Sequence, residues 1–131
     1  MTPVDIFALY AGLMALMLVV IIVRIIKIRR RLKVVYGDGN EPALAKAMRG
    51  HANFVETTSF GLIVLAALAM MGAPVGVMHV IGALLFIGRI LHAWKFLTDG
   101  APVAARKFGM LFTLASLIFG AGYLIIGAVF L

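Results

Sequence analysis

The sequence predicts an all-α integral membrane protein built as a four-helix bundle, and three observations predict it. Hydrophobic residues fill 64% of the 131 positions and only 13% are charged, against roughly a quarter in soluble domains. Mean hydropathy is +1.14. The apolar residues gather into four stretches, each long enough for a helix to cross about 30 Å of hydrocarbon, parted by short segments rich in turn formers. No long polar stretch leaves room for a soluble module, so residues 1–131 are read as one four-span domain.

The first helix is expected over about 4–28. Its heart is the uncharged run of 18 residues from Ile6 to Val23. Asp5 precedes that run and no basic segment does, so a helix kept in the mature protein is expected rather than a cleaved signal peptide. A basic block follows (Arg24, Lys27, Arg29, Arg30, Arg31, Lys33), then Tyr36-Gly-Asp-Gly-Asn-Glu-Pro42, whose Gly, Asp, Asn and Pro residues favour turns. Pro42 suits a first helical turn, and the second helix runs over 42–71 to the stop at Gly72-Ala-Pro74. At about 30 residues and roughly 45 Å it overshoots the hydrocarbon, so its polar N-terminal third should project beyond it. The third helix covers 75–97. The fourth covers 106–130, after the break at Thr98-Asp-Gly-Ala-Pro102.

Charge sets the orientation. The first and third loops hold nearly all the Lys and Arg, whereas the loop around Gly72 and the C-terminus hold none. The positive-inside rule therefore puts those two loops in the cytoplasm and both termini on the other side. The net charge of +7 sits mostly at the ends of apolar segments, where it marks topology and meets anionic lipid. Nucleic acid is not an expected partner. With no Cys in the chain, any thiol chemistry must come from a substrate.

Hydrophilic side chains interrupt this apolar background at specific places. Arg49, Asn53 and Glu56 share one helical face at i, i+4 and i+7, and Arg89, His92 and Phe96 share another at i, i+3 and i+7. Glu56 lies 16 residues before Gly72 and Arg89 lies 15 after Pro74, so both are roughly 23 Å from the outer face. Asn53, His92 and Arg24 fall near 28 Å by the same count, and Arg49 a turn further. Ionisable groups at such depth face a bundle interior or a watery cavity. Two readings stand. Arg89 and Glu56 neutralise each other and fix helix packing, with Asn53 as interhelical glue; or the layer is an anion-binding pocket, which the excess of Arg over carboxylate favours.

The segment Arg49-Gly-His-Ala-Asn53-Phe-Val-Glu56 opening the second helix, with Arg89-x-x-His92 near the cytoplasmic end of the third, resembles the MAPEG family (membrane-associated proteins in eicosanoid and glutathione metabolism). The resemblance covers the whole chain, and Tyr36-Gly-Asp-Gly39 is similar to the first loop of its bacterial branch. It implies a homotrimer in the bacterial inner membrane, binding glutathione between neighbouring subunits while lipophilic electrophiles arrive from the bilayer. It further implies a glutathione S-transferase, with a peroxidase side activity, and detoxification as its use. Arg49, Asn53, Glu56, Arg89 and His92 would line the glutathione site, with Arg29 or Arg30 holding a carboxylate. Arg106, at the start of the fourth helix, is the match for the family Arg that stabilises the thiolate; Lys107 is a neighbour of the same charge. A cation beside a thiol favours the nucleophilic thiolate.

The chain departs from the family at Phe96, which stands where family enzymes commonly carry a Tyr. That keeps a non-enzymatic, lipid-binding or scaffold member as the alternative. A small multidrug transporter shares the four-span size, but such carriers place an essential carboxylate in the first helix, where only Asp5 lies, at its outer end. His51 is about 200° round the helix from Arg49 and is expected off the site. His79 lies near the opposite membrane face, and no metal is expected. Trp94 and Lys95 read as an interfacial anchor and a snorkelling charge, and Gly120, Gly122 and Gly127 as points of close helix approach.

Overall fold

The computed structural model describes residues 1–130. They form four helices, α1 (Pro3–Leu32), α2 (Pro42–Met70), α3 (Val75–Leu97) and α4 (Val103–Phe130), and no strand among the described residues. All four are long and apolar enough to cross a membrane. The chain is an integral membrane protein of all-α architecture.

Local chemistry fixes the helix ends. At the start of α1, Thr2 Oγ1 accepts from the Asp5 amide at 3.2 Å while Asp5 Oδ2 accepts from the Thr2 amide at 2.7 Å. This reciprocal capping box satisfies two otherwise orphaned N–H groups. At its other end α1 runs to Leu32, a turn beyond the expected position 28. Arg29, Arg30 and Arg31 occupy that last turn, where basic side chains complement the negative end of the helix dipole. Lys33 then turns into the left-handed region (φ 56°) and its amide returns to the Arg29 carbonyl. Pro42 opens α2. The fourth helix begins at Val103, a turn before the expected 106, directly after Pro102.

In cross-section α2 and α3 form the short diagonal, each touching both outer helices, while α1 and α4 do not meet. The apolar core runs between α1, α2 and α3 around Ile6, Met14, Ile21, Leu65, Met78 and Leu85. A smaller cluster of Ile28, Leu44 and Ala47 closes the end of the bundle where α1 finishes and α2 begins. α4 docks differently. Its buried stripe is Ala105, Gly109, Thr113, Ser116, Gly120 and Gly127, small residues that let backbones approach, as membrane helices require when apolar burial gives no drive for association. Gly88 and Gly109 face one another across α3 and α4. A Cβ on Gly109 would lie 2.5 Å from the His92 nitrogen, and one on Gly88 would lie 2.8 Å from the Gly109 carbonyl oxygen. The Ser116 hydroxyl donates to the Ile81 carbonyl at 2.8 Å, a second tie between these helices. The outward faces of α1 and α4 are apolar, with Leu16, Val20, Ile118 and Phe119 well exposed, as suits a lipid-facing surface.

Candidate functional site

The Gly88–Gly109 approach brings Thr113 of α4 up against Arg89 of α3. Arg89 is among the most deeply buried side chains of the molecule, 1% exposed. Its Nε donates to Thr113 Oγ1 at 2.9 Å, and its Nη1 donates to Asn53 Oδ1 at 2.9 Å and to Thr57 Oγ1 at 2.7 Å. One guanidinium thus ties α2, α3 and α4 together. Each hydroxyl is pre-set for that role. Thr113 Oγ1 donates its proton to the Gly109 carbonyl (2.8 Å) and Thr57 Oγ1 donates to the Asn53 carbonyl (2.7 Å), leaving only lone pairs to offer Arg89.

All three acceptors are neutral. Glu56, at matching depth, is exposed and makes no salt bridge, and among the described residues the one ion pair is Lys46–Asp99 at 3.3 Å. The Arg89–Glu56 neutralisation that matched depth allowed does not form. The reason is azimuth: Asn53 and Thr57 turn toward α3, whereas Glu56 lies about 60° further round α2, on its outward side. Arg89 Nη2 is buried with no partner, so the guanidinium keeps both its charge and a donor. The amide nitrogen of Asn53 is likewise uncommitted while its oxygen serves Arg89.

His92, a turn along α3, is buried and stacked on Phe96, ring centroids 5.0 Å apart at 26°. Gly50 of α2 makes room for that pair, because a Cβ there would lie 2.5 Å from the Phe96 Cβ. Phe96 therefore occupies the α2–α3 contact as an apolar spacer.

The other sequence-derived candidates lie apart from this cluster. Arg49, Glu56, Arg30 and Arg106 are exposed and have no hydrogen-bond partner among the described residues. Arg49 and Glu56 share the outward face of α2, and Arg106 stands near the start of α4. Arg29 is turned onto its own loop: Nη1 donates to the Gly37 carbonyl at 2.8 Å and the Val35 carbonyl at 3.4 Å, and Nη2 approaches Met48 Sδ at 3.3 Å. Of the two candidates at the end of α1, Arg29 and Arg30, only Arg29 is engaged. His51 lines a groove of about 440 Å³ between α1 and α2 with Arg29, Met48 and Ala52. His79 meets the Tyr10 hydroxyl at 3.3 Å at the other end of the bundle. Among the described residues no three His, Cys, Asp or Glu side chains could jointly hold a metal.

Sequence reasoning missed Thr57 and Thr113. Thr57 carried a usable signal, being four residues after Asn53 on the same side of α2; Thr113 carried none until the α3–α4 contact was known. What the single chain assembles is an anchored, un-neutralised cation beneath a polar facet of α2, an arrangement suited to an anionic ligand bearing several acceptors.

A family model described as the MAPEG family matches residues 7–126. The inner membrane protein YecN of Escherichia coli strain K12 is 35% identical over 89 residues, covering 68% of this chain and 68% of that protein. The protein of the same name from Escherichia coli O6:H1 matches equally. No solved structure matches.

Proposed function

The chain belongs to the MAPEG family, and from that premise we propose that it is a membrane-bound glutathione transferase. In this reading it binds glutathione in the cytoplasmic half of the bundle and conjugates the thiolate to lipophilic electrophiles. The observation that carries the reading is Arg89, buried, held only by neutral acceptors and left with a free donor. Glutathione brings two carboxylates and one ammonium, and the set here is complementary: several guanidinium groups and one carboxylate, Glu56, for the amino group.

The exposed face of α2 supports a shared site. Arg49 and Glu56 point away from their own bundle, at a depth where hydrocarbon contact is costly, so a second copy of the chain covering them would close a pocket that one chain leaves open. A homotrimer is the proposed assembly. Arg30 and Arg106 would border that pocket, Arg106 acting on the thiolate, and the proposed setting is a bacterial inner membrane with both termini outside the cytoplasm. Phe96 favours a second reading, a non-enzymatic lipid-binding or scaffold member, because the ring stacked on His92 has no hydroxyl to donate toward a thiol.

A binding isotherm with glutathione tests the first reading. Arg49→Ala or Glu56→Ala is expected to weaken binding by about tenfold or more, the size of a lost charge-assisted bond. Unchanged affinity in both variants overturns it. Turnover of a chlorodinitrobenzene-type electrophile separates enzyme from scaffold, since a scaffold gives no glutathione-dependent product.

A further inference from the structure

On the opposite flank of α1 from the Arg29 loop, an apolar crevice of about 490 Å³ opens between α1 and α3. Its walls include Leu16, Met17 and Val20 from α1 and Phe86, Ile90 and Trp94 from α3. Leu16, Val20, Ile90 and Trp94 are all substantially exposed, so the crevice faces the bilayer. Continuing the same flank of α1 toward the cytoplasm, Arg24, Lys27 and Arg31 follow Val20 at i+4, i+7 and i+11, and all four positions lie within about 60° of arc. None of the three cations has a hydrogen-bond or ion-pair partner among the described residues, and neither α1 beyond Asp5 nor any part of α3 contains an acid.

We propose that this crevice is a binding site for an anionic phospholipid, with an acyl chain lying along the α1–α3 slot and the phosphate on Arg24, Lys27 and Arg31. Two observations fix the class of occupant. The first is length: from Leu13, the innermost wall residue, to Arg24 the helix rises roughly 16 Å, the depth of one leaflet of a bilayer whose core is about 30 Å. The second is charge order. The slot is apolar over that whole rise and cationic at its end, the reverse complement of an acyl chain leading to a phosphodiester. Arg24 lies about 28 Å along the helix from Asp5 by rise, near the hydrocarbon boundary where a phosphate sits. Trp94 at the mouth is the amphipathic ring expected at headgroup level. The site is separate from the Arg89 cluster and from the outward face of α2, and stands whether or not glutathione binds there.

Trp94 is the chain's one tryptophan and reports on the crevice directly. The protein is reconstituted in phosphatidylcholine vesicles carrying an equal mole fraction of either dibrominated phosphatidylglycerol or dibrominated phosphatidylcholine, and quenching of Trp94 is measured. A preference for the anionic lipid is expected, about fivefold for each engaged cation, and it should fall by about 25-fold in Arg24→Gln/Lys27→Gln, to what Arg31 alone supports. It should persist in Arg30→Gln/Lys33→Gln, which removes the same charge from outside that arc. Equal quenching by the two lipids in the unmodified protein overturns the proposal, as does equal loss in both double variants, which would mean diffuse attraction to basic residues. Should the first variant fail to fold, Val20→Phe fills the slot and leaves every cation in place. It is expected to bring phosphatidylglycerol quenching down to the phosphatidylcholine level, and undiminished preference there also overturns the site.

Discussion

Replacing Thr113 by Val removes one hydroxyl from the Arg89 network and almost nothing else. The two side chains have similar shape, and the site is fully buried, so no large cavity or new polar contact arises. What remains is an Arg89 Nε–H without its 2.9 Å acceptor, beside an Nη2 that already lacks one. Neutral interhelical hydrogen bonds in membrane bundles average only about 0.6 kcal/mol, whereas a bond to a charged group contributes about 1.5–3 kcal/mol. Burial and the absence of any counter-ion put Arg89 in the second class, so Thr113→Val should lose about 2 kcal/mol. Thr113→Ser keeps the hydroxyl and deletes a methyl group, which should cost about 1 kcal/mol or less. Reversible unfolding in mixed micelles, titrated with dodecyl sulfate and followed by helical ellipticity, measures both. A Val variant within about 0.6 kcal/mol of the parent, or a Ser variant as unstable as Val, would refute the claim that this hydroxyl anchors a charged guanidinium.

Gly88→Ala and Gly109→Ala each drive a methyl into backbone atoms at 2.5–2.9 Å, and the same unfolding titration should show losses of about 3 kcal/mol as α3 and α4 are forced apart. Gly122→Ala, with nothing within 4 Å of the added carbon, should be neutral or gain up to about 1 kcal/mol from helix propensity. Arg29→Ala releases the Gly37 and Val35 carbonyls it holds; limited proteolysis should cut residues 34–40 several-fold faster while global stability changes by less than about 1 kcal/mol.

The four spans were legible because hydropathy and turn residues both mark them, and a helix in hydrocarbon must satisfy its own backbone. Their ends were less so. The expected end of α1 fell near residue 28, inside the basic block, yet Arg29, Arg30 and Arg31 carry it on to Leu32, since they are good helix formers placed at the favourable end of the dipole. Depth counting set Asn53 about 5 Å, roughly one helical turn, further in than Arg89, yet the two meet, because the long guanidinium side chain reaches across that difference to Asn53 Oδ1. The same counting made Glu56 a partner for Arg89, and there it failed, because rise along an axis says nothing about rotation around it until the neighbouring helices are known. Arg29 was unreadable for a related reason: a loop that folds back on its own helix leaves no periodic trace. Gly120 and Gly127 do mark close contacts with Val64 and Met71, but Gly122 is open, and the tightest backbone-to-backbone approach, at Gly109, lies outside that glycine cluster.

An arginine can be kept inside a membrane bundle in two ways, with opposite consequences for function. A carboxylate partner cancels its charge and leaves little to offer a ligand. Hydroxyl and amide acceptors stabilise the guanidinium while leaving its field intact, which is the arrangement at Arg89. The acid that would have quenched it, Glu56, faces outward beside Arg49, about 21 Å from the C-terminal end of α2 by helical rise. A carboxylate at that depth is tolerated only against polar matter. The chain therefore presents an unspent cation within and an uncovered ion-bearing facet without, on the same helix, separated by a fraction of a turn. A ligand with two carboxylates and an ammonium, bound where a second copy closes over α2, would answer both demands at once; apolar matter covering that facet would answer neither.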